Sequence, residues 1–114
     1  MPSLAWTPNS GYILATVRYE IVLAPGAVRE LKALRAHERA EVRDALDRHL
    51  RHEPTKVTRR RIKRLRGLRR PQYRLRVGEI RVFYDVFQAT VTVLAIVSKE
   101  QATSWLDQQD EAAS

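Results

Sequence analysis

Apolar and polar side chains alternate along four stretches of this chain, a period-two pattern that predicts β-strands with one buried face. The first stretch is VRYEIVL, at residues 17–23. The other three are QYRLRV (72–77), IRVFYDVF (80–87) and TVTVLAIV (90–97). Only two residues separate each of these three from the next. Because such short connections join antiparallel neighbours, we predict that the last third of the chain forms a three-stranded meander.

Other segments of the chain have the helical period instead. Apolar residues recur every three or four positions at 26–35 and again at 38–52, which predicts a helical hairpin that must cover a sheet. A short third helix is predicted from Ser98 to about residue 107, since Ser98 and Gln101 have the spacing of a capping box. Trp105 in this helix is interpreted as a packing residue rather than as a platform for base stacking. The pattern as a whole predicts an α+β domain.

The Gly78-Glu79 connection fixes the register of the first meander hairpin, since glycine in the first position suits a two-residue type II′ turn. In that register Arg76 lies opposite Arg81, and Arg74 lies opposite Phe83. One face of the hairpin is wholly apolar and is predicted to receive the helices. The other face carries the three arginines. The like-charged pair of Arg76 and Arg81 is unfavourable by up to about 1 kcal/mol, and an anion bound across this face would remove the penalty.

The net charge of +8 comes from one segment rather than from the whole surface. Residues 56–81 contain twelve of the 21 lysines and arginines but only one of the 13 acidic residues. We predict that 56–71 is a loop with a short helical turn, anchored by Ile62, Leu65 and Leu68. A concentrated cationic patch attracts polyanions, although a solvated, solubilising surface is the alternative. The predicted RNA- or phosphate-binding residues in this loop are Arg59, Arg60, Arg61, Lys63, Arg64, Arg66, Arg69 and Arg70.

The chain has no cysteine, which excludes disulfides and thiolate metal sites and fits a cytoplasmic location. The three histidines lack metal-binding spacing and no glycine-rich phosphate loop is present, so we expect neither a metal nor a cofactor. No apolar run is long enough to cross a membrane, and we see no secretory signal pattern. One domain is expected at 17–107, with a partly mobile N-terminal extension (1–16) and a polar tail (108–114). Residues 12–14 are candidates to extend the first strand.

Three runs of sequence resemble the RelE/ParE superfamily, the toxins of type II toxin–antitoxin systems. They are KRLRGL (63–68), YRLRVGEIRVFYDV (73–86) and VLAIVSK (93–99), and the resemblance extends over residues 19–106. It implies a RelE/ParE-like α+β fold, in which a twisted antiparallel sheet, made of the first strand and the meander, packs on the N-terminal helical hairpin. It also implies a cognate small acidic antitoxin that binds the toxin in a hetero-oligomer.

The resemblance also assigns roles to individual residues. RelE-type members cleave mRNA in the ribosomal A site, using basic side chains. Arg74 and Arg76 match two basic strand positions of that family, which are lysines in the type member. Arg81 matches the phosphate-binding arginine of a Gly-x-x-Arg motif, and Lys99 matches a basic residue at the end of the last strand. Glu100 departs from the pattern, because the type member has arginine there.

These departures leave the site without an obvious proton acceptor. The family's terminal tyrosine position falls near Leu106, and arginine hardly ever deprotonates. Glu100 is therefore the best candidate for the base that takes a proton from an RNA 2′-hydroxyl, and Glu79 is a weaker one. Phe83, Leu94 and Ile96 are predicted to lie on the sheet face away from the helical hairpin and to bind the antitoxin.

The leading hypothesis is a ribosome-dependent endoribonuclease that inhibits translation, with the ribosome and mRNA as partners. Its predicted catalytic residues are Arg74, Arg76, Arg81, Lys99 and Glu100. Two alternatives stay open. One is a ParE-like toxin that poisons DNA gyrase by binding, which requires no general base. The other is a degenerate member that pairs with an antitoxin but has no nuclease activity.

Overall fold

The computed structural model describes residues 2–7, 11–16 and 18–113, and the side chains of residues 18–110. The strands are β1 (Pro2–Thr7), β2 (Gly11–Thr16), β3 (Glu20–Leu23), β4 (Ile62–Arg64), β5 (Tyr73–Val77), β6 (Ile80–Phe87) and β7 (Thr90–Ser98). The helices are α1 (Pro25–Ala33), α2 (Ala36–Ala45) and α3 (Lys99–Ala113), and a π-helical turn, Leu46–Leu50, continues α2. Helices at the predicted positions 26–35 and 38–52 are thus confirmed to within two residues at each end.

The main sheet has five strands in the order β3-β7-β6-β5-β4. The pairs β4–β5, β5–β6 and β6–β7 are antiparallel, whereas β3 lies parallel to β7. The α+β fold with a helical hairpin on a sheet and a C-terminal helix is confirmed, but the prediction of a wholly antiparallel sheet is wrong. Two-residue turns fix the directions of β5, β6 and β7. No such turn joins β3 to β7, so the long helical connection decides their relative direction.

The predicted register of the β5–β6 hairpin is confirmed. Arg76 pairs with Arg81 and Val77 with Ile80, and Gly78 in the turn has a φ of +57°, which glycine adopts without strain. The apolar face of this hairpin packs against α1 and α2 in one continuous core. Within it, the hydroxyl of fully buried Tyr84 donates a 2.6 Å hydrogen bond to the carbonyl of Pro54. This bond ties the segment that follows α2 to the centre of the sheet.

The basic segment 56–71 contains a strand instead of the predicted helical turn. Strand β4 pairs with β5, and buried Ile62 enters the main core. The hydroxyl of Thr58 accepts hydrogen bonds from the backbone N–H groups of Arg61 (3.0 Å) and Ile62 (3.1 Å), which turns the chain into β4. The short, highly charged run has weak β propensity of its own, and pairing with β5 determines its conformation.

Strands β1 and β2 form a separate two-stranded antiparallel sheet. The prediction that residues 12–14 extend the first strand of the main sheet is therefore wrong. The reason is proximity along the chain, because two neighbouring strands pair at a smaller loss of loop entropy than two distant ones.

Helix α3 is longer than predicted and continues to Ala113, so residues 108–113 are helical. Its start agrees with the capping pattern, because the backbone N–H of Gln101 donates a 3.3 Å hydrogen bond to the hydroxyl of Ser98. The Trp105 ring stacks on Phe83 with 4.9 Å between ring centroids and 12° between ring planes. Trp105 therefore packs α3 onto the face of the sheet opposite to α1 and α2.

A β-bulge interrupts the pairing of β6 and β7. Phe83 pairs with Ala95, but Tyr84 pairs with Val93, so Leu94 is the extra residue. Side-chain alternation along β7 changes phase at this point. As a result, Ile96 packs in the main core beneath the helical hairpin.

The side chain of Glu30 in α1 supports this bulge, because its Oε1 accepts a 3.0 Å hydrogen bond from the backbone N–H of Ile96. We expect Glu30→Ala to lower the free energy of unfolding by about 1–3 kcal/mol, since it leaves a buried N–H without a partner. Glu30→Gln keeps an oxygen acceptor and should lose less. Urea denaturation of both variants tests this, and wild-type stability of Glu30→Ala would contradict it.

Candidate nucleic-acid interface

Three arginine side chains converge on the sheet face opposite to the helical hairpin. Arg74 and Arg76 come from β5 and Arg81 comes from β6, where the register makes Arg76 and Arg81 direct partners. The tight turn at Gly78 fixes this arrangement, because any shift of one residue would send the arginines into the core. In the described part of the chain, none of the three lies within 4.0 Å of a carboxylate.

Arg81 is buried, with only 8% of its surface exposed. Its Nη1 donates hydrogen bonds to two backbone carbonyls, those of Gly78 (2.9 Å) and Ile80 (3.1 Å). Carbonyl dipoles orient a guanidinium but do not neutralise its charge. A buried charge without a counterion is costly, so this site favours an anion that supplies one.

Arg74 adds a second guanidinium without a counterion to the same face. Burial first, and then the neighbouring charges of Arg81 and Arg76, lower the pKa of its guanidinium, which nevertheless stays protonated because arginine hardly ever loses its proton. Its buried Nε has no hydrogen-bond partner among the described residues. An unsatisfied donor next to two further guanidinium groups is the arrangement that an incoming phosphate oxygen would complete.

The start of α3 adjoins the same end of the sheet. Ser98 pairs with Ile80, and the backbone N–H of Lys99 donates a 2.7 Å hydrogen bond to the carbonyl of Glu79. The exposed residues Lys99 and Glu100 therefore open α3 beside the β5–β6 turn. Arg76, Arg81, Lys99 and Glu100 are thus brought to one end of the sheet from three different elements.

Comparison with known proteins gives a match in structure. Neither a protein-family model nor a curated protein sequence matches this chain. The RelBE2 toxin–antitoxin complex from Mycobacterium tuberculosis contains a chain that is 27% identical, and the match covers 72% of this chain and 99% of that one with a TM-score of 0.56. The chain has the RelE toxin fold.

Two archaeal structures agree with this assignment of the fold. The RelE–RelB complex from Pyrococcus horikoshii is matched at 24% identity over 72% of this chain and 96% of that one, with a TM-score of 0.54. The RelB–RelE complex from Methanococcus jannaschii is matched at 18% identity over 74% and 96%, with a TM-score of 0.53. Across the described residues, no helix could span a membrane, and no cluster of His, Asp and Glu side chains could hold a metal ion.

On this RelE-like fold, two of the eight basic loop residues have structural partners. Arg70 Nε lies 2.7 Å from Asp85 Oδ2, and the other oxygen of Asp85 accepts a bond of the same length from the backbone N–H of Gln72. Arg64 lies over the ring of Tyr73 at 5.0 Å and donates a 3.1 Å hydrogen bond to the carbonyl of Gln72. These contacts hold the end of the loop against the sheet.

The other six basic loop residues are exposed, and their side chains make no hydrogen bond or ion pair with the rest of the described structure. They are Arg59, Arg60, Arg61, Lys63, Arg66 and Arg69. Lys63 lies opposite Arg74 in the sheet register, so the loop adds a further cation to the arginine face. The sequence analysis assigned no role to Asp85. The feature that could have indicated one is that Asp85 is the lone acidic residue in a strand that follows a basic loop.

The predicted antitoxin-binding residues do not share one accessible face. Phe83 is fully buried beneath Trp105, and Leu94 is half-buried at the bulge. The prediction that Ile96 faces away from the helical hairpin is wrong, because the bulge at Leu94 reverses the alternation on which it depended. Their role in antitoxin binding stays a prediction.

Proposed function

We propose that this protein is the toxin of a type II toxin–antitoxin system and that it inhibits translation by cleaving mRNA on the ribosome. The observation that carries the proposal is the group formed by Arg74, Arg76 and Arg81, which is partly buried and has no acidic partner in the described structure. The RelE-like fold supports the same assignment, since the matched structures are toxin–antitoxin complexes.

The arginine group suits the charge that develops during RNA cleavage. When a 2′-hydroxyl attacks the adjacent phosphate, extra negative charge accumulates on the phosphorane oxygens. Because Arg81 uses only Nη1 to hold the two backbone carbonyls, its Nε–H and Nη2–H groups are left to bind those oxygens. Arg76 and Arg74 supply further donors, and this pre-set geometry stabilises the transition state without reorganisation.

A base must remove the 2′-hydroxyl proton, and Glu100 is the residue that we assign to this step. It is an exposed carboxylate in the first turn of α3, beside the turn that carries Gly78 and Glu79. As the 2′-oxygen bonds to phosphorus, the bond from phosphorus to the 5′-oxygen breaks, and the ammonium group of Lys99 next to Glu100 supplies the proton that the leaving 5′-oxygen takes up. None of the arginines can act as the base, because their protons are held too tightly.

Replacement of Glu100 tests this assignment. We expect Glu100→Gln to slow single-turnover cleavage by about 100- to 10,000-fold, the usual contribution of a general base, while the protein stays folded. Glu79→Gln tests the weaker candidate for the base, and Glu20→Gln is the matched control, since it removes the same charge from an exposed position of β3. Equal cleavage by the wild type and Glu100→Gln would exclude a catalytic role for this carboxylate.

The proposed activity itself is tested in a purified translation reaction with a defined mRNA, followed by primer extension. Discrete cleavage sites that appear only when ribosomes are present would support the proposal, whereas unaffected mRNA and translation would refute it. The same preparation can be added to a gyrase supercoiling reaction, where inhibition would identify the gyrase-poisoning alternative. No observation on the structure favours that alternative.

The proposed toxin requires a partner that neutralises it. A net charge of +8 suits a small acidic antitoxin, and electrostatic complementarity of this kind speeds association. Translation takes place in the cytoplasm, so the proposal places the protein there. Affinity purification of the chain expressed from its native operon should recover a small acidic protein, and recovery of the chain alone would count against the partner.

A further inference from the structure

A cationic cleft lies between the basic loop and the β5–β6 turn, and it shares Arg76 with the arginine group. It has a volume of about 420 Å³ and is lined by Arg60, Arg61, Arg76 and Gly78. Three guanidinium groups thus line the cleft without a carboxylate, and none of them forms an ion pair with another described residue. Gly78 has no side chain to fill the space, so backbone forms part of the lining.

A second cavity of about 480 Å³ continues the cleft towards the π-helical turn, and Arg60 and Arg61 line both. Its other lining residues include Arg48 and His49 from that turn, and Lys56. Two acidic groups here are already paired, since Glu53 in the lining lies 3.4 Å from Lys56 and nearby Asp44 lies 3.2 Å from Arg48. Glu41, beside Gly78, forms no ion pair with another described residue and is outnumbered by the arginines. The cavity therefore keeps an excess of positive charge.

The ionisation of His49 reflects this excess. Burial first, and then the charges of Arg61 and Arg48, lower the pKa of His49, while Asp44 opposes them only in part. The imidazole of His49 in the π-helical turn therefore resists a further positive charge. Because the two cavities share Arg60 and Arg61, we treat them as one groove, which we call the Arg60–Arg61 groove and define by the residues that line the two cavities.

We propose that the Arg60–Arg61 groove binds the phosphate backbone of single-stranded RNA beyond the phosphate that is cleaved. Arg76 belongs both to the arginine group and to the groove, so a strand can pass from one to the other over Gly78. The choice of RNA as the polyanion rests on the proposed function. Arginine binds phosphate with two parallel N–H donors, which suits a repeating backbone better than individual bases.

The structure also indicates which basic loop residues contribute. Arg64 and Arg70 are held by Tyr73, Gln72 and Asp85, so their first role is to position the loop. Arg60 and Arg61 have no such contacts in the described structure and face the cavities. The length of RNA that the protein contacts therefore depends on particular residues of the basic loop, Arg60 and Arg61, rather than on the total charge of the loop.

Salt-dependent RNA binding tests the proposal. The probe is a fluorescein-labelled single-stranded RNA of mixed sequence, and anisotropy gives the dissociation constant from 50 to 300 mM KCl. Loss of two phosphate contacts should reduce the slope of log affinity against log salt by about 1.4, and should weaken binding by about 25-fold at 0.1 M salt. Arg60→Gln/Arg61→Gln is the test variant, and Arg60→Lys/Arg61→Lys should restore the slope because it restores the charge.

The matched control is Arg29→Gln/Arg43→Gln, which removes the same net charge from exposed positions of the helical hairpin. Residues 41, 44 and 45 of α2 and residue 48 of the π-helical turn line one cavity on the same side of the helix, and Arg43 lies on the opposite side. The control should change the slope little. The proposal is overturned if the test variant and the control have the same slope, or if the wild type binds duplex DNA but not single-stranded RNA.

Failure of this proposal and failure of the proposed function give different results. A slope that depends on Arg60 and Arg61, together with absence of ribosome-dependent cleavage, would support the groove and refute the nuclease. Normal cleavage by the wild type, together with a test variant that binds RNA like the control, would refute the groove alone.

Discussion

Replacement of Arg81 by alanine is expected to slow ribosome-dependent mRNA cleavage by about 100- to 1,000-fold, the usual effect of removing one preorganised donor to a developing anion. The reason is specific to its environment. Arg81 is buried, and two backbone carbonyls hold its Nη1, so its remaining N–H donors are held in one orientation before the RNA binds. The loss should appear in the rate at saturating ribosome concentration, measured by primer extension.

Two further variants make the Arg81 result interpretable. Arg81→Lys keeps the charge but loses the paired N–H donors, so we expect an intermediate rate. Arg29→Ala removes an exposed arginine from α1 and should cleave as fast as the wild type. Thermal unfolding of Arg81→Ala checks that the sheet still forms. Wild-type cleavage by folded Arg81→Ala would show that the arginine group does not stabilise the reaction.

The largest expected effect on stability comes from Phe83. Phe83→Ala should lower the free energy of unfolding by about 3–5 kcal/mol, because it removes a fully buried aromatic side chain and leaves a cavity between α3 and the sheet. Phe87→Ala is the matched control, since the Phe87 side chain is 75% exposed and its loss should cost less than about 0.5 kcal/mol. Urea denaturation of both variants measures the difference.

A double-mutant cycle with Trp105 tests the contact that buries Phe83. The two rings stack at 4.9 Å, and such aromatic pairs are coupled by about 0.5–1.5 kcal/mol beyond the area that they bury. A coupling free energy of zero, or a Phe83→Ala variant as stable as Phe87→Ala, would mean that α3 does not cover this face in solution. Phe83 would then return as an accessible candidate for antitoxin binding.

The β5–β6 hairpin shows which features of the structure the local sequence pattern can predict. Its register followed from a two-residue turn with glycine first, and the structure confirms that Arg76 faces Arg81. Local sequence also predicted the helical hairpin and the cap at Ser98. In each case the determining interactions join residues that are close along the chain, so periodicity and turn chemistry are sufficient.

The antitoxin prediction shows where that reasoning fails. Strict alternation placed Leu94 and Ile96 on one face, but a single bulged residue sends Ile96 into the core, where Glu30 satisfies its backbone N–H. A bulge of this kind depends on how β7 fits both β6 and α1. No short window of sequence contains that information, because Glu30 is 66 positions away.

The sequence by itself determined the α+β class, the helices and meander, the confined positive charge and the face shared by Arg74, Arg76 and Arg81. Tertiary structure alone decided that β3 runs parallel to β7, that β4 forms, that α3 covers Phe83 and that Asp85 holds Arg70. The physical reason is the distance along the chain between the residues that interact. Neighbouring residues set periodicity and turns, whereas strand direction, burial and ion pairing are fixed only when distant segments compete for the same core and the same partners.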